Sequence, residues 1–150
     1  MTSISAPKFF VDHKKGEVVE LLKLLTNPNT EHNPQKKKDV VKRVIAYMTL
    51  GVDVSKLFYE MVKVSITDDI VMKKMVFLYI VNYAHQIDQG AFLAINTFLR
   101  DMKNPNPKIR GLALRMLCSI KFKGVYEYFA NALYFQISLL HFMILKKQKQ

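Results

Sequence analysis

The stretch that most constrains the fold is residues 101–120, DMKNPNPKIRGLALRMLCSI, where two prolines precede a periodic apolar run. Each proline fixes its own φ and keeps the residue before it out of the helical region, so Asn104 to Pro107 is expected to form a rigid turn. Asn106 is then suited to cap a helix, and Pro107 to be its first residue. The apolar residues that follow recur at the spacing of an α-helix. They are Ile109, Leu112, Ala113, Met116, Leu117 and Ile120.

Leu114 and Cys118 add a second apolar strip on the far side of this helix. A helix that is apolar on two sides packs between neighbouring helices, as in stacked helical repeats. We therefore expect Cys118 to be buried. Because Cys118 is the one cysteine in the chain, no disulfide framework can form, which indicates a reducing compartment.

The chain upstream carries the same kind of apolar pattern. A short helix is expected over about residues 15–26; it ends at Asn27-Pro28-Asn29, and residues 30–35 form a polar linker. The next helix includes KKKDVV and ends at Gly51, where glycine suits the left-handed conformation that often follows a helix. Another helix begins at Asp53, again with apolar residues at helical spacing.

The most apolar run is MVFLYIV at residues 75–81, and Asp68 is expected to cap the helix that contains it. Val, Phe, Tyr and Ile favour sheets, but the pattern extends over about 15 residues, which favours a buried helix over a strand. Further helices are expected after Gly90, from Pro107, and from near Val125.

These helices fall into pairs. The second helices of successive pairs are expected to begin near Asp53, Asp88 and Val125, about 35 residues apart, a spacing typical of HEAT or armadillo repeats. The predicted fold class is therefore all-α: an α-solenoid of HEAT- or armadillo-like two-helix repeats. At 150 residues the chain has the length of a single domain.

The chain is strongly basic, with 23 Lys and Arg against 12 Asp and Glu and a formal net charge of +11. Such a surplus favours anionic partners, namely nucleic acid, acidic lipid head groups or acidic proteins. Lys36, Lys37 and Lys38 open a helix, where the dipole disfavours cations, so they are not there to stabilise it. Two interpretations of this cluster remain open, a phosphate site and an ordinary solvated basic face.

The sequence lacks the signatures of an enzyme and of a sequence-specific nucleic-acid reader. It has no phosphate-binding glycine loop, no zinc-ligand spacing and no RNP-like aromatic strand. His13, His32, His85 and His141 have neither a metal-ligating partner at i+4 nor a neighbouring Cys. We therefore expect no enzyme, no cofactor and no nucleic-acid partner.

Residues 128–145, YFANALYFQISLLHFMIL, form an 18-residue stretch without formal charge that lysines follow. The length is just sufficient for a tail-anchored transmembrane helix, whereas Asn131, Gln136 and His141 are costly in lipid. The alternative is a repeat helix that covers the open end of the solenoid. At the other end, MTSISAPKFF lacks the features of a secretory signal.

Five ungapped segments carry a family resemblance: KKGEVVELLKLL, VVKRVIAYMTLGVDVSKLF, KKMVFLYIVNYA, AINTFLRDMKNPNPKIRGLALRMLCSI and GVYEYF. Together they resemble the N-terminal trunk of the β-type large subunits, or β-adaptins, of clathrin-adaptor complexes. The resemblance is strongest to the β subunit of the fourth adaptor complex, judging by the segments YMTLGVDVS, EMVKVS and GVYEYF. The resemblance implies adaptin-like helical repeats at residues 14–129. Residues 1–13 carry no periodicity and are expected to form a flexible arm, and residues 130–150 are expected to form a divergent apolar helix with a basic end.

The function that this resemblance implies is a non-enzymatic scaffold in vesicle-mediated intracellular protein transport. The implied partners are other adaptor-complex subunits, an Arf-type small GTPase and an acidic phospholipid surface. The implied location is cytoplasmic, peripheral on trans-Golgi or endosomal membranes. By their match to family positions, five lysines are candidate contacts for anionic lipid: Lys14, Lys15, Lys36, Lys37 and Lys38.

Phe92 and Ile95 match a helix that related β subunits use for Arf-type GTPases, which makes them candidate contacts for such a partner. Aromatic and aliphatic residues at helical spacing equally suit a core, and Ala91, Ala94 and Phe98 form another apolar strip on the same helix.

The chain also departs from the family, whose members continue for many further helical repeats. This chain ends after about three helical pairs, and its last 21 residues do not resemble the family. Two alternatives therefore stand beside the scaffold. One is a generic helical-repeat module that binds an acidic protein or RNA, and the other is a truncated product without function.

Overall fold

The computed structural model describes residues 16–87 and 89–120, together with residues 130, 131, 133, 134, 137 and 138. The helices in the two continuous ranges are α1 (Glu17–Thr26), α2 (Pro28–Glu31), α3 (Pro34–Thr49), a 3₁₀ turn (Ser55–Leu57), α4 (Phe58–Val64), α5 (Ile70–Tyr83), α6 (Gly90–Asp101) and α7 (Pro107–Ser119). No strand occurs among the described residues, and the all-α prediction is confirmed.

The helices form two layers. In one layer α3, α5 and α7 pack side by side, and in the other α1, α4 and α6 do so. Between the layers α1 contacts α3, α4 contacts α5, and α6 contacts α7, so the repeating unit is a pair of helices. The helices of the first layer begin at residues 34, 70 and 107, which are 36 and 37 residues apart. This period agrees with the repeat length of about 35 residues predicted from the sequence.

Each helix of the first layer begins with a side-chain cap. Asn33, Asp69 and Asn106 accept hydrogen bonds from backbone amides of the first turns of α3, α5 and α7. The predicted cap at Asn106 is therefore confirmed, whereas the predicted cap at Asp68 is wrong by one residue. Asp69 is the extended residue directly before α5, so its carboxylate reaches the free amides.

The C-terminal end of α3 is also as predicted. Gly51 has a φ of +79°, in the left-handed region that a glycine adopts without strain. The amides of Gly51 and Val52 donate to the carbonyls of Met48 and Tyr47 at 3.1 and 3.0 Å. These bonds satisfy carbonyls that the helix end leaves open, so the chain reverses toward the next helix of the repeat.

Helix α5 supplies the centre of the core. The apolar run at residues 75–81 is helical, so the choice of a buried helix over a strand is confirmed. Phe77 packs edge-on against Phe98 of α6, with ring centroids 4.8 Å apart, and the Tyr79 ring lies 6.4 Å from that of Phe58 in α4. These contacts join α5 to both neighbouring helices of the second layer.

Two expectations about local structure are wrong. Residues 30–35 are not a polar linker, because Asn27 caps the short helix α2 and Asn33 caps α3, with a proline following each. Cys118 is exposed rather than buried. It lies away from the stripe of Ile109, Ala113 and Leu117 that packs into the core, and in the described part of the chain no helix covers it.

Several predictions fall outside the described residues. They include the arm at residues 1–13, the helix near Val125, and most of the apolar stretch at 128–145. Within the part that the structure describes, no helix combines the length and the apolar content needed to cross a bilayer.

Candidate interaction surfaces

The lysine cluster Lys36 to Lys38 lies in the first turn of α3. The Lys36 amide donates to the Asn33 side chain at 3.1 Å, which fixes where the helix begins. No acidic residue accompanies the lysines in this turn. Cations at this end oppose the helix dipole, so their placement costs stability rather than adding to it.

The three lysine side chains have different surroundings. Lys36 is exposed, whereas Lys38 forms an ion pair with Asp69, the cap of α5, at 2.7 Å. The hydrogen bond from Lys38, followed by those from backbone amides of α5, holds the pKa of Asp69 below its usual range. Lys38 therefore links the starts of α3 and α5, and its charge is already balanced.

Lys37 borders a small open cavity of about 180 Å³ between α1, α3 and α4. The other lining residues are Leu25, Thr26, Glu60, Lys63 and Val64. Lys63 pairs with Glu60 at 2.8 Å. The structure thus brings Lys37 and Lys63 together, a juxtaposition that the sequence did not indicate. Lys14 and Lys15, the other candidate lipid contacts, lie outside the described residues.

Phe92 and Ile95 lie on different sides of α6. The Phe92 side chain is 46% exposed, whereas Ile95 is 1% exposed and belongs to the core. Ala91, Ala94 and Phe98 are buried as well. Ile95 and the strip of Ala91, Ala94 and Phe98 therefore face the interior, and of the two candidate GTPase contacts Phe92 is the one whose side chain reaches the surface.

A buried polar network joins the repeats. Lys73 of α5 donates to a carboxylate oxygen of Asp101 at the end of α6, and to the backbone carbonyl of Ser65 at 2.9 Å. Arg100 donates to the other oxygen of Asp101 at 3.0 Å and to the Ser65 hydroxyl at 3.2 Å. Lys73 also lies 5.4 Å from the centre of the Phe77 ring. Through these contacts the network links the end of α4 to α5 and to the end of α6.

Sequence reasoning missed this network, although the repeat contains a signal for it. Lys37, Lys73 and Arg110 occupy the same repeat position, the fourth residue after the caps Asn33, Asp69 and Asn106. Arg110 donates to the carbonyls of the preceding turn at Asn104 and Pro105, as Lys73 donates to Ser65. A cation at this position therefore binds the turn that leads into its own helix in two of three repeats.

In the described part of the chain, no three His, Cys, Asp or Glu side chains are close enough together to hold a metal ion. The polar side chains that are fully buried there all have hydrogen-bond partners.

The sequence matches the family described as adaptin N terminal region over residues 13–147. The chain belongs to the adaptin family. Curated relatives of this adaptin segment include AP-4 complex subunit beta-1 of Mus musculus, which is 50% identical over 111 residues, 74% of this chain and 15% of the relative. AP-1 complex subunit beta-1 of Mus musculus is 44% identical over 126 residues, 84% of this chain and 13% of the relative.

A relative from a second organism has a similar level of identity to this chain. AP-4 complex subunit beta of Dictyostelium discoideum is 43% identical over 120 residues, 80% of this chain and 14% of the relative. The adaptin chain thus spans about one seventh of the length of the curated relatives that it matches. The resemblance to the N-terminal region of a β-type adaptor large subunit is confirmed.

Proposed function

We propose that this adaptin chain is a non-enzymatic scaffold in an adaptor-type vesicle coat that takes part in intracellular protein transport. The observation that carries the proposal is the family match over residues 13–147, on a chain whose described helices form a two-layer repeat. The relatives named above are subunits of AP-4 and AP-1 complexes. The proposed partners of the chain are therefore the other subunits of such a complex.

The two-layer repeat suits a scaffold for a physical reason. Each repeat buries its apolar residues against its neighbours, so exposed side chains on both layers stay available for partners. Ion pairs between repeats, such as Lys38 with Asp69 and Lys73 with Asp101, hold the helices in register. A stack of this kind presents large, fixed surfaces for contact with partner subunits.

The second part of the proposal is contact with anionic membrane through Lys14, Lys15 and the cluster Lys36 to Lys38. Lys36 supports it because it is exposed, and Lys37 supports it because it borders an open cavity beside Lys63. Lysines near an acidic bilayer are attracted over roughly one Debye length, about 8 Å at physiological salt. This contact would hold the chain peripherally on trans-Golgi or endosomal membranes.

The third part concerns an Arf-type small GTPase, which we place on the outer side of α6. Phe92 supports this because it is an exposed aromatic side chain, and such residues are common anchors in protein interfaces. Ile95 lies in the core. It would therefore act by packing α6 in place, and a direct contact role is assigned to Phe92 alone.

Co-expression of the 150-residue chain with the other subunits of an AP-4 or AP-1 complex tests the scaffold proposal. We expect the chain to elute with these subunits as one species in gel filtration. A variant with Val41→Asp, which places a charge in the core of α3, serves as the misfolded control. A well-folded chain that elutes alone would instead favour a generic helical-repeat module.

A further inference from the structure

The turn between α4 and α5, residues 65–69, presents one aliphatic side chain to solvent. Ile66 is 70% exposed, which makes it the most exposed large aliphatic side chain among the described residues. Its neighbour Ser65 is fully buried. The exposed Ile66 therefore lies next to a buried serine in a connecting turn, where polar side chains are common.

Several hydrogen bonds hold this turn in place. The Ser65 hydroxyl donates to the carbonyl of Val62 at 2.6 Å and accepts from Arg100 at 3.2 Å. The Ser65 carbonyl accepts from Lys73 at 2.9 Å, and the Ile66 amide donates to the carbonyl of Lys63 at 3.1 Å. The buried network therefore fixes the backbone from which Ile66 projects, so little conformational entropy is lost when a partner covers its side chain.

Cationic residues lie near this turn. The start of α3 lies beside the turn, because Lys38 reaches Asp69, and the end of α4 leads directly into it. The Lys63 carbonyl accepts from the Ile66 amide, Lys37 lines a cavity with Lys63 and Val64, and Arg100 donates to the Ser65 hydroxyl. Two of the lysines are paired within the chain, Lys63 with Glu60 and Lys38 with Asp69.

We infer that this turn inserts Ile66 into the interfacial region of an anionic bilayer while the surrounding lysines contact lipid phosphates. An exposed aliphatic side chain among lysines fits that environment, since acyl chains take up the apolar group and head groups take up the charges. A nucleic acid would satisfy the lysines but leave the isoleucine in water. The inference rests on the proposed membrane contact and adds an apolar element to it.

The chain contains no tryptophan, so a single introduced tryptophan reports on its own position. We would compare Ile66→Trp with Leu78→Trp, a matched control that is 51% exposed on α5. Leu78 lies about 12 Å along the helix from the start of α5. Each full-length variant is mixed with vesicles of phosphatidylcholine alone or with added phosphatidylserine, and sedimentation is measured on the same samples.

With phosphatidylserine vesicles, the tryptophan emission of the Ile66→Trp variant should shift to the blue and be quenched by lipids brominated on the acyl chain. The emission of the Leu78→Trp variant should show neither effect. In addition, Ile66→Asn should weaken vesicle binding about fivefold without changing the melting temperature, because the side chain is exposed in the free chain.

The failure of this inference is distinguishable from the failure of the proposed membrane contact. If the Ile66→Trp variant sediments with phosphatidylserine vesicles but its emission is unchanged, the insertion is wrong and the lysine contact stands. If its emission shifts equally with phosphatidylcholine alone, the role assigned to the lysines is wrong. If the chain does not sediment with either vesicle, both are overturned.

Discussion

Lys73 of α5 and Asp101 of α6 form an ion pair that is almost completely buried, with side chains 2% and 6% exposed. Charges at such depth persist only when they are paired and hydrogen-bonded. Here the ammonium also binds the Ser65 carbonyl, and the carboxylate also binds Arg100. The pair thus holds together the end of α4, the body of α5 and the end of α6.

The two partners of this pair should not be equally important for stability. Asp101→Ala leaves the Lys73 ammonium buried with only neutral partners, and we expect a loss of about 3–5 kcal/mol in the free energy of unfolding. Lys73→Met leaves Asp101 bound to Arg100, so its cost should be smaller, about 1–3 kcal/mol. Urea unfolding of both variants measures the difference.

The double variant Lys73→Met/Asp101→Leu is the control, because it removes both charges and keeps the volume filled. It should be more stable than Asp101→Ala. Equal losses in the free energy of unfolding for Asp101→Ala and Lys73→Met would show that Arg100 does not compensate the Asp101 carboxylate when Lys73 is removed.

Tyr79 should make the fold sensitive to alkali. Burial, followed by the effects of Tyr83 and Asp53, raises the pKa of Tyr79 well above its usual range. The unfolded chain loses this proton near pH 10 while the folded chain keeps it, so stability is present below pH 10 and falls as the pH rises above it. The expected slope is at most about 1.4 kcal/mol per pH unit.

Tyr79→Phe removes this titration and the hydrogen bond to the Val54 carbonyl, 2.5 Å long. That carbonyl also accepts from the Leu57 amide, so the cost at neutral pH should be about 1 kcal/mol. Between about pH 8 and pH 11, the free energy of unfolding should fall less steeply with pH for the variant than for the parent chain. A variant whose stability falls as steeply as that of the parent chain would rule Tyr79 out as the cause.

Asp69 should make the stability of the fold depend on pH in the acidic range. Because its folded-state pKa is lowered, mainly by Lys38, the stabilisation is present above its unfolded pKa near 4 and is lost as the pH falls through the folded value. Asp69→Asn retains the oxygen that caps α5 but lacks the charge opposite Lys38. The parent chain should be the more stable at neutral pH, and the difference should shrink as the pH falls below about 4 and vanish once the pH is below the folded pKa. A constant difference would show that capping geometry, not the ion pair, is responsible.

The lysine cluster should govern attraction to acidic vesicles. Lys36→Ala/Lys37→Ala/Lys38→Ala should weaken binding by about 1 kcal/mol for each lysine that faces the membrane and should lower the sensitivity to salt. The matched control is Lys56→Ala/Lys108→Ala/Arg115→Ala, which removes the same charge from exposed sites outside α3. Equal loss in both variants would indicate attraction by net charge alone. No loss in the first would exclude the cluster as a lipid contact.

Much of the fold was predictable because its signals are local. Asn106 and Pro107 start α7, Gly51 follows α3, and the apolar pattern that contains residues 75–81 extends over about 15 residues, which favours a helix over a strand. The error at Asp68 arose because either aspartate of the pair can cap in principle. Backbone conformation selects Asp69, and the sequence does not show that conformation.

The surfaces were less predictable because they depend on contacts between repeats. The three adjacent lysines of the cluster have different surroundings. Lys36 is exposed, Lys37 borders a cavity with Lys63, and Lys38 pairs with Asp69. Phe92 and Ile95 have similar apolar character, and only packing against the core separates them. Such distinctions arise from residues about 30 positions away, which no local pattern encodes.

The most direct test of the scaffold proposal is the protein composition of the complex that the chain forms in cells. An epitope-tagged 150-residue chain would be purified beside the Val41→Asp control, and the recovered proteins would be quantified by mass spectrometry. We expect the other subunits of one adaptor complex to be enriched with the parent chain and absent with the control. Recovery of a folded chain without any adaptor subunit would contradict the proposed function.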